Sequence, residues 1–311
     1  MKPRRIILAG GGGFLGRLLI QAFAERGDEV VLLTRRPGAS YSPARALYWD
    51  GRTLGDWAVA LEGADAVINL AGKNVNCRYT PAALTEINAS RVDSVRVLAD
   101  AIKLCRRPPA VWVQSGSLAV YGDAKDRPCD ENAPAGQGIP AEVCVNWERA
   151  FAGAATPDTR QVLLRISFVL GRSGGALPFL ETLVRCFLGG PVAGGSQYIS
   201  WIHEEDMVRL FLRAVDDASM SGTYNATGPE PATNATFMRE LRSVLHRPWS
   251  PPLPAWAVRI GCWLMRTEPV LSLTGRRGIP RRLQDEGFAF NHPRLPEALN
   301  HLYTLHPQPI A

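Results

Sequence analysis

Short apolar runs alternate with amphipathic stretches through the first half of the chain. Residues 5–9 read as a first strand, and residues 14–26 place apolar positions at helical spacing. Residues 29–34 read as strand two, the stretch around 46–49 as strand three and residues 65–70 as strand four. The pattern predicts a long helix over roughly 81–105, strand five at 110–115, a helix near 141–155 and strand six at 161–166. Continuous apolar runs mark strands buried on both faces, and strand–helix alternation gives those strands parallel neighbours. The predicted fold is therefore α/β, a doubly wound parallel sheet. After Gly171 the rhythm breaks into short helices, glycine turns at 189–191 and 194–195, and prolines from 248 to 254. Residues 1–170, with a return at about 198–228, are expected to form the larger domain. Residues 171–197 and 229–311 should form a smaller lobe over the carboxyl edge of the sheet, where ligands bind in such folds.

The first strand runs straight into four glycines, and the first helix follows at once. Gly10, Gly13 and Gly16 fit G-x-x-G-x-x-G, and Gly11, Gly13 and Gly16 also fit G-x-G-x-x-G. Strand, tight turn and helix is the order a dinucleotide site needs. The turn lets backbone approach a pyrophosphate, and the helix start aims free N–H groups at it. A flexible hinge would not need flanks this regular. Phe14 and Leu15 fall inside the same motif, so the larger domain reads as an NAD(P)-binding Rossmann domain and the smaller lobe as its substrate-binding part. Strand two ends in Leu33-Thr34-Arg35-Arg36, where an NAD site places an acid for the ribose hydroxyls. Guanidinium groups suit a 2′-phosphate, so the expected cofactor is NADP(H) rather than NAD(H). Asp50 could accept from an adenine amino group, or Asp50-Gly51 could be only a turn. Leu70, Ala71 and Gly72 end strand four with small residues beside the cofactor path. Strand five delivers Ser115 and Ser117 to the same edge.

Composition narrows the setting. The 311 residues are 46% apolar and 21% charged, with a formal net charge of +6. No apolar stretch reaches the roughly 18 residues that span a bilayer, and no secretory signal is evident, so no membrane partner is expected. The basic residues are scattered, which argues against a nucleic-acid partner. Cysteines 77, 105, 129, 144, 186 and 262 form no C-x-x-C pair and read as reduced thiols of a cytoplasmic protein. The five histidines show no metal spacing. Trp249, Trp256 and Trp263, seven residues apart, read as core residues rather than a ligand cage.

The glycine loop, Asn69-Leu70-Ala71-Gly72, Ser117-Leu118-Ala119-Val120-Tyr121-Gly122, Arg165, Trp201 to Asp206 and Tyr224 to Thr227 together resemble the extended branch of the short-chain dehydrogenase/reductase superfamily, which includes nucleotide-sugar epimerases and dehydratases. Cys144-Val145-Asn146-Trp147-Glu148, Gly189-Gly190-Pro191, Ser200 to His203 and Arg282 to Phe290 are similar to an atypical group of NAD-dependent epimerase family proteins of unknown substrate, some labelled cell-division-inhibitor homologues. The resemblance covers nearly the whole chain. It implies an oxidoreductase or epimerase acting on a small carbonyl or sugar-nucleotide substrate, and a homodimer through the helices near 81–105 and 141–155.

One departure stands out. Family enzymes carry Tyr-x-x-x-Lys after strand five, the lysine lowering the tyrosine pKa. Here Cys144 and Glu148 occupy that spacing, and a carboxylate beside a thiol opposes thiolate formation. Cys144 could instead be a small buried apolar residue, with Trp147 and Glu148 as packing partners. The resemblance makes Ser117 the hydroxyl that orients a substrate oxygen. Tyr121 offers a phenol nearby or serves in packing. His203 reads as a capping residue and Asp206 as a structural acid. Arg165 either binds an anionic substrate or pairs with an internal carboxylate. Catalytic candidates are thus Ser117, Tyr121, Cys144 and Glu148. Two alternatives stay open beside the enzyme: a regulatory protein that holds NADP(H) with little turnover, and a structural interaction protein.

Overall fold

The computed structural model describes residues 3–36, 38–247 and 249–304. Among these, seven strands form one sheet: β1 (Arg5–Ala9), β2 (Glu29–Thr34), β3 (Arg45–Tyr48), β4 (Ala66–Asn69), β5 (Val111–Ser117), β6 (Arg160–Ile166) and β7 (Gly222–Ala226). Their order is β7-β6-β5-β4-β1-β2-β3, with every pairing parallel. The order reverses at β1, whose Ala9 is paired with Leu33 on one side and Asn69 on the other. That reversal opens a crevice at the carboxyl ends of β1 and β4.

The helices are α1 (Phe14–Glu25), α2 (Pro81–Lys103), α3 (Ile139–Ala152), α4 (Leu177–Arg185), α5 (Glu204–Asp216), α6 (Asn234–Val244), α7 (Ala255–Leu264), α8 (Val270–Leu273), α9 (Arg281–Asp285) and α10 (Leu295–Thr304). Each inner strand serves two cores. Ile6 and Leu8 of β1 join Leu19 and Phe23 of α1 and Leu210 and Phe211 of α5. Ile7 and Ala9 face the other way, with Val95 and Leu98 of α2 and Trp147 and Phe151 of α3. A third core gathers Leu177 and Val184 of α4, Phe237 and Leu241 of α6 and Leu299 and Leu302 of α10. Short strand pairs tie this part to the sheet: 168–170 beside 201–203, and 128–129 beside 277–278. The tryptophans at 249, 256 and 263 are not core residues. All three are exposed, and Cys262 alone among the described residues of α7 is buried.

Two glycines of the loop are demanded by geometry. Gly10 has φ +75°, and a Cβ there would stand 2.6 Å from the Cα of Ala71. A Cβ on Gly16 would overlap the backbone carbonyl of Gly11.

The fold also gathers histidines that are far apart in sequence. His203 caps α5, its Nδ1 accepting from the Glu205 N–H at 3.1 Å. His203 Nε2 lies 3.2 Å from His301 Nδ1, and His292 Nε2 lies 2.8 Å from Glu205 Oε2. Asp206 accepts from the backbone N–H groups of Asn291 and His292 at 2.8 and 2.9 Å. Sequence spacing gave no hint that three histidines and Glu205 converge within 4.8 Å. The cap leaves the neutral His203 ring with its proton on Nε2, directed at His301. A cation at His203 Nε2 would have to displace that proton, so the bonding pattern is that of a latch holding residues 291–301 on the start of α5.

Gly16→Ala should destabilise the protein by several kcal/mol in urea titration, whereas Gly13→Ala, whose Cβ meets nothing within 4 Å, should stay within about 0.5 kcal/mol of the parent. Burial, then the neighbouring His292, pushes His203 down from 6.5 to about 3. The unfolded chain therefore binds the extra proton between those values, and His203's contribution to stability is full above about pH 6.5 and lost as pH falls toward 3. His203→Asn, which keeps a capping acceptor, should flatten that acid limb when stabilities at about pH 5 and pH 7.5 are compared.

Candidate functional site

A cleft of about 770 Å³ opens at the crevice, within the size range of cofactor sites. Its floor is Gly10, Gly12 and Gly13. Arg35 and Arg36 stand at the end of β2, Asp50 and Arg52 after β3, and Ala71, Gly72 and Lys73 after β4. Asn69 shapes that last segment, its Oδ1 accepting from the Ala71 N–H at 3.0 Å.

The cleft can hold an anion at α1. Gly13 is the N-cap and has no side chain to occupy the orphan N–H groups of the first turn, which carries Phe14, Leu15, Gly16 and Arg17. The space where a Gly13 side chain would sit is open. Arg35 and Arg36 are exposed, and neither has a carboxylate within 4.0 Å among the described residues. The other cations are engaged: Lys73 pairs with Glu86, and Arg52 approaches Asp93 at 3.6 Å. Asp50 lines the cleft and also makes the turn. Its carboxylate accepts from the N–H groups of Thr53 and Arg52 and from the Thr53 hydroxyl, and these bonds hold its pKa below the usual range.

Seven of the twelve expected cofactor residues thus line the cleft: Gly10, Gly13, Arg35, Arg36, Asp50, Ala71 and Gly72. The other five sit behind it. Gly16 lets α1 lie on Gly11, and Phe14 packs against Gly171, Gly174 and Gly175. Leu15 and Leu70 pack against the sheet core. The Ser115 hydroxyl donates to the Asn69 carbonyl at 2.7 Å and ties β5 to β4. Tyr41 and Lys73 also line the cleft and escaped the sequence reading. Lys73 follows a flagged glycine, so adjacency could have found it. Tyr41 lies in an irregular loop, and no spacing marks it.

The catalytic candidates fall into two settings. Ser117 ends β5, and its Oγ accepts from the Ala119 N–H at 3.2 Å, which leaves the hydroxyl proton free to donate. The other three are buried or bound. Burial pushes the Cys144 thiol up to about 12; Arg91 opposes this and Glu148 adds to it. Glu148 is held in a two-pronged ion pair by Arg165, at 2.9 and 2.8 Å. Arg165 also donates to the Tyr121 hydroxyl at 2.7 Å. That hydroxyl lies 2.8 Å from both Asn225 Oδ1 and the Asp130 carbonyl, with one proton to give. Burial raises the Tyr121 pKa to about 12, against the pull of Arg165. Of the two roles open to Arg165, the structure shows the internal pair. Arg91 completes the setting beneath Gly72, donating to the carbonyls of Lys73 and Ile87 and stacking 5.1 Å from the Trp147 ring.

Residues 6–227 match the model of the NAD dependent epimerase/dehydratase family, and residues 253–302 match a domain of unknown function, DUF1731. Epimerase family protein SDR39U1 of Bos taurus is 35% identical over 300 residues, covering 95% of this chain and 98% of its own. A chloroplastic SDR39U1 homologue of Arabidopsis thaliana is 33% identical, covering 94% and 85%. The crystal structure of human SDR39U1 (isoform2) with NADPH superposes with a TM-score of 0.86 at 32% identity, covering 96% of this chain and 99% of that one.

Arg165→Met leaves Glu148 unpaired in a half-buried site and should cost about 3–5 kcal/mol in denaturant titration. Replacing both partners with methionine should recover much of that loss. A single-variant cost below about 1 kcal/mol would show that the pair is not a structural tie.

Proposed function

The chain belongs to the NAD dependent epimerase/dehydratase family, and from that premise we propose that it is an NADP(H)-binding oxidoreductase or epimerase acting on a small carbonyl or sugar-nucleotide substrate. The observation that carries this reading is the cleft itself: an open glycine cradle at the start of α1, with Arg35 and Arg36 at the end of β2 having no carboxylate within 4.0 Å among the described residues. Gly10 and Gly13 let backbone approach a pyrophosphate, and the α1 N–H groups receive it. Arg35 and Arg36 grip a 2′-phosphate. Asp50, with its carboxylate committed to the turn, shapes the adenine end. Ala71 and Gly72 leave room for the ribose. NADPH in the human relative's crystal structure supports the choice of cofactor. Phe14, Leu15, Gly16, Leu70 and Ser115 position these groups from behind.

When bound, the nicotinamide gives or takes a hydride. Ser117, with a hydroxyl proton free, orients a substrate oxygen. Cys144 stays a thiol at neutral pH, and Tyr121 and Glu148 hold Arg165 in place. These three pack and hold the ion pair instead of moving the proton, which falls to Ser117 and water. A second reading draws on the same fact. Cys144 and Tyr121, each pushed up to about 12 by burial, are poor bases at neutral pH, which suits a protein that holds NADP(H) as a regulator with little turnover. The six free cysteines suit a reducing compartment such as the cytoplasm.

Arg35→Ala/Arg36→Ala should weaken NADPH binding by about tenfold or more and leave NADH binding within about twofold, read by nicotinamide fluorescence. Tighter NADH than NADPH binding by the parent protein would refute the cofactor choice. Turnover on a panel of carbonyl and nucleotide-sugar substrates separates the two readings, since tight NADPH without any turnover favours the regulator. Ser117→Ala with full turnover would remove Ser117 from the mechanism.

A further inference from the structure

α7 turns its largest apolar side chains away from the core. Trp256, Ile260, Trp263 and Leu264 follow the i, i+4, i+7, i+8 pattern of a single apolar stripe. Such a stripe normally faces a core. Here its members are 65%, 53%, 65% and 68% exposed, while Cys262 is buried. Trp249 and Met265, on either side of α7 in the chain, are exposed as well. Exposed Phe187 and Leu188 lie in a segment that runs beside residues 247–253, just ahead of α7. Leu253 N–H donates to the Pro191 carbonyl at 2.9 Å, and the Arg247 guanidinium stacks 5.5 Å from the Phe187 ring. An exposed apolar stripe of this kind marks an interaction surface.

Its border states the partner's charge. Residues 249–267 hold three tryptophans, Arg259 and Arg266, and no acidic residue. Arg247, Arg259 and Arg266 have no carboxylate within 4.0 Å among the described residues. Glu268, the next acid along the chain, is turned inward to accept from the Tyr79 N–H at 2.6 Å. Tryptophan rings beside unpaired arginines match the boundary of a lipid layer, where the rings enter the acyl edge and the cations meet phosphate. A second copy fits poorly, because a two-fold interface would set this basic border against itself. The stripe also lies outside the cofactor cleft, none of whose lining residues comes from α7.

We propose that the exposed apolar face of α7 docks this protein on an anionic membrane surface. Lying on a bilayer needs no apolar run long enough to cross it, and no helix among the described residues is one. Arg78 Nη2 donates to the Trp263 carbonyl at 3.1 Å, so α7 leans on the 73–80 segment that leads from the cleft edge to α2. Docking would place the cleft beside the lipid surface.

The test is co-sedimentation of the full chain with two sets of vesicles. One is phosphatidylcholine alone, and the other has roughly one-quarter phosphatidylglycerol. The expected result is binding to the anionic vesicles with a blue shift in tryptophan emission, weakened several-fold as salt rises from about 0.1 to about 0.5 M. Trp256→Ser/Ile260→Ser/Trp263→Ser should weaken binding by about tenfold or more. Its melting temperature and NADPH affinity should be unchanged, since the side chains are exposed. Arg259→Glu/Arg266→Glu gives an independent reading and should weaken binding by about tenfold. No sedimentation of the parent with either vesicle overturns the proposal. So does equal binding to both vesicles, or a concentration-dependent dimer that the serine variant abolishes. NADPH titration of the same samples tests the cofactor reading separately, so the two can fail independently.

Discussion

The first turn of α1 rests directly on the backbone of the loop before it. Gly16 meets Gly11 with no side chain between them, and Gly10 in the left-handed region lies against Ala71. This close approach brings the helix start, the end of β1 and the segment after β4 to one point, the crevice where the strand order reverses. The cleft exists because three backbones meet there with almost no side-chain volume. Arg35 and Arg36 reach it because β2 pairs with β1 in a register that sets Leu33 beside Ala9.

A second constraint lies across the sheet. Arg165 of β6 holds Glu148 of α3 and the Tyr121 hydroxyl, and Asn225 of β7 closes the group. Two of these atoms belong to residues that the family resemblance made catalytic candidates. The group joins β6, β7, α3 and the turn after β5. Ser117, at the end of β5, keeps a free hydroxyl proton. Tyr121 and Glu148 are thus committed to the ion pair and hydrogen bonds that join these elements.

The sheet was legible in the sequence because parallel strands buried on both faces leave continuous apolar runs, as at Ile6-Ile7-Leu8 and Val30 to Leu33. The glycine loop and the two arginines were legible because each is a local feature, a turn or a strand end built from neighbours in the chain. Tyr41 was not, since an irregular loop carries it to Gly12. The histidine latch was not either: His203 and His301 are 98 residues apart, and only the seating of α10 brings them together. The tryptophans misled for a related reason. Their spacing shows that they share a side of the chain, but not which way that side faces.

The sequence by itself determined the strand–helix rhythm, the glycine loop with the arginines after β2, and the Cys144–Glu148 spacing. Each is a local property, set by periodicity or by residues within a turn of one another. The tertiary structure decided that Arg165 pairs inward, that Cys144 is buried, that three histidines converge on α5, and that the α7 stripe faces solvent. Burial and pairing depend on which surfaces other segments cover, and that coverage comes from parts of the chain up to a hundred residues away.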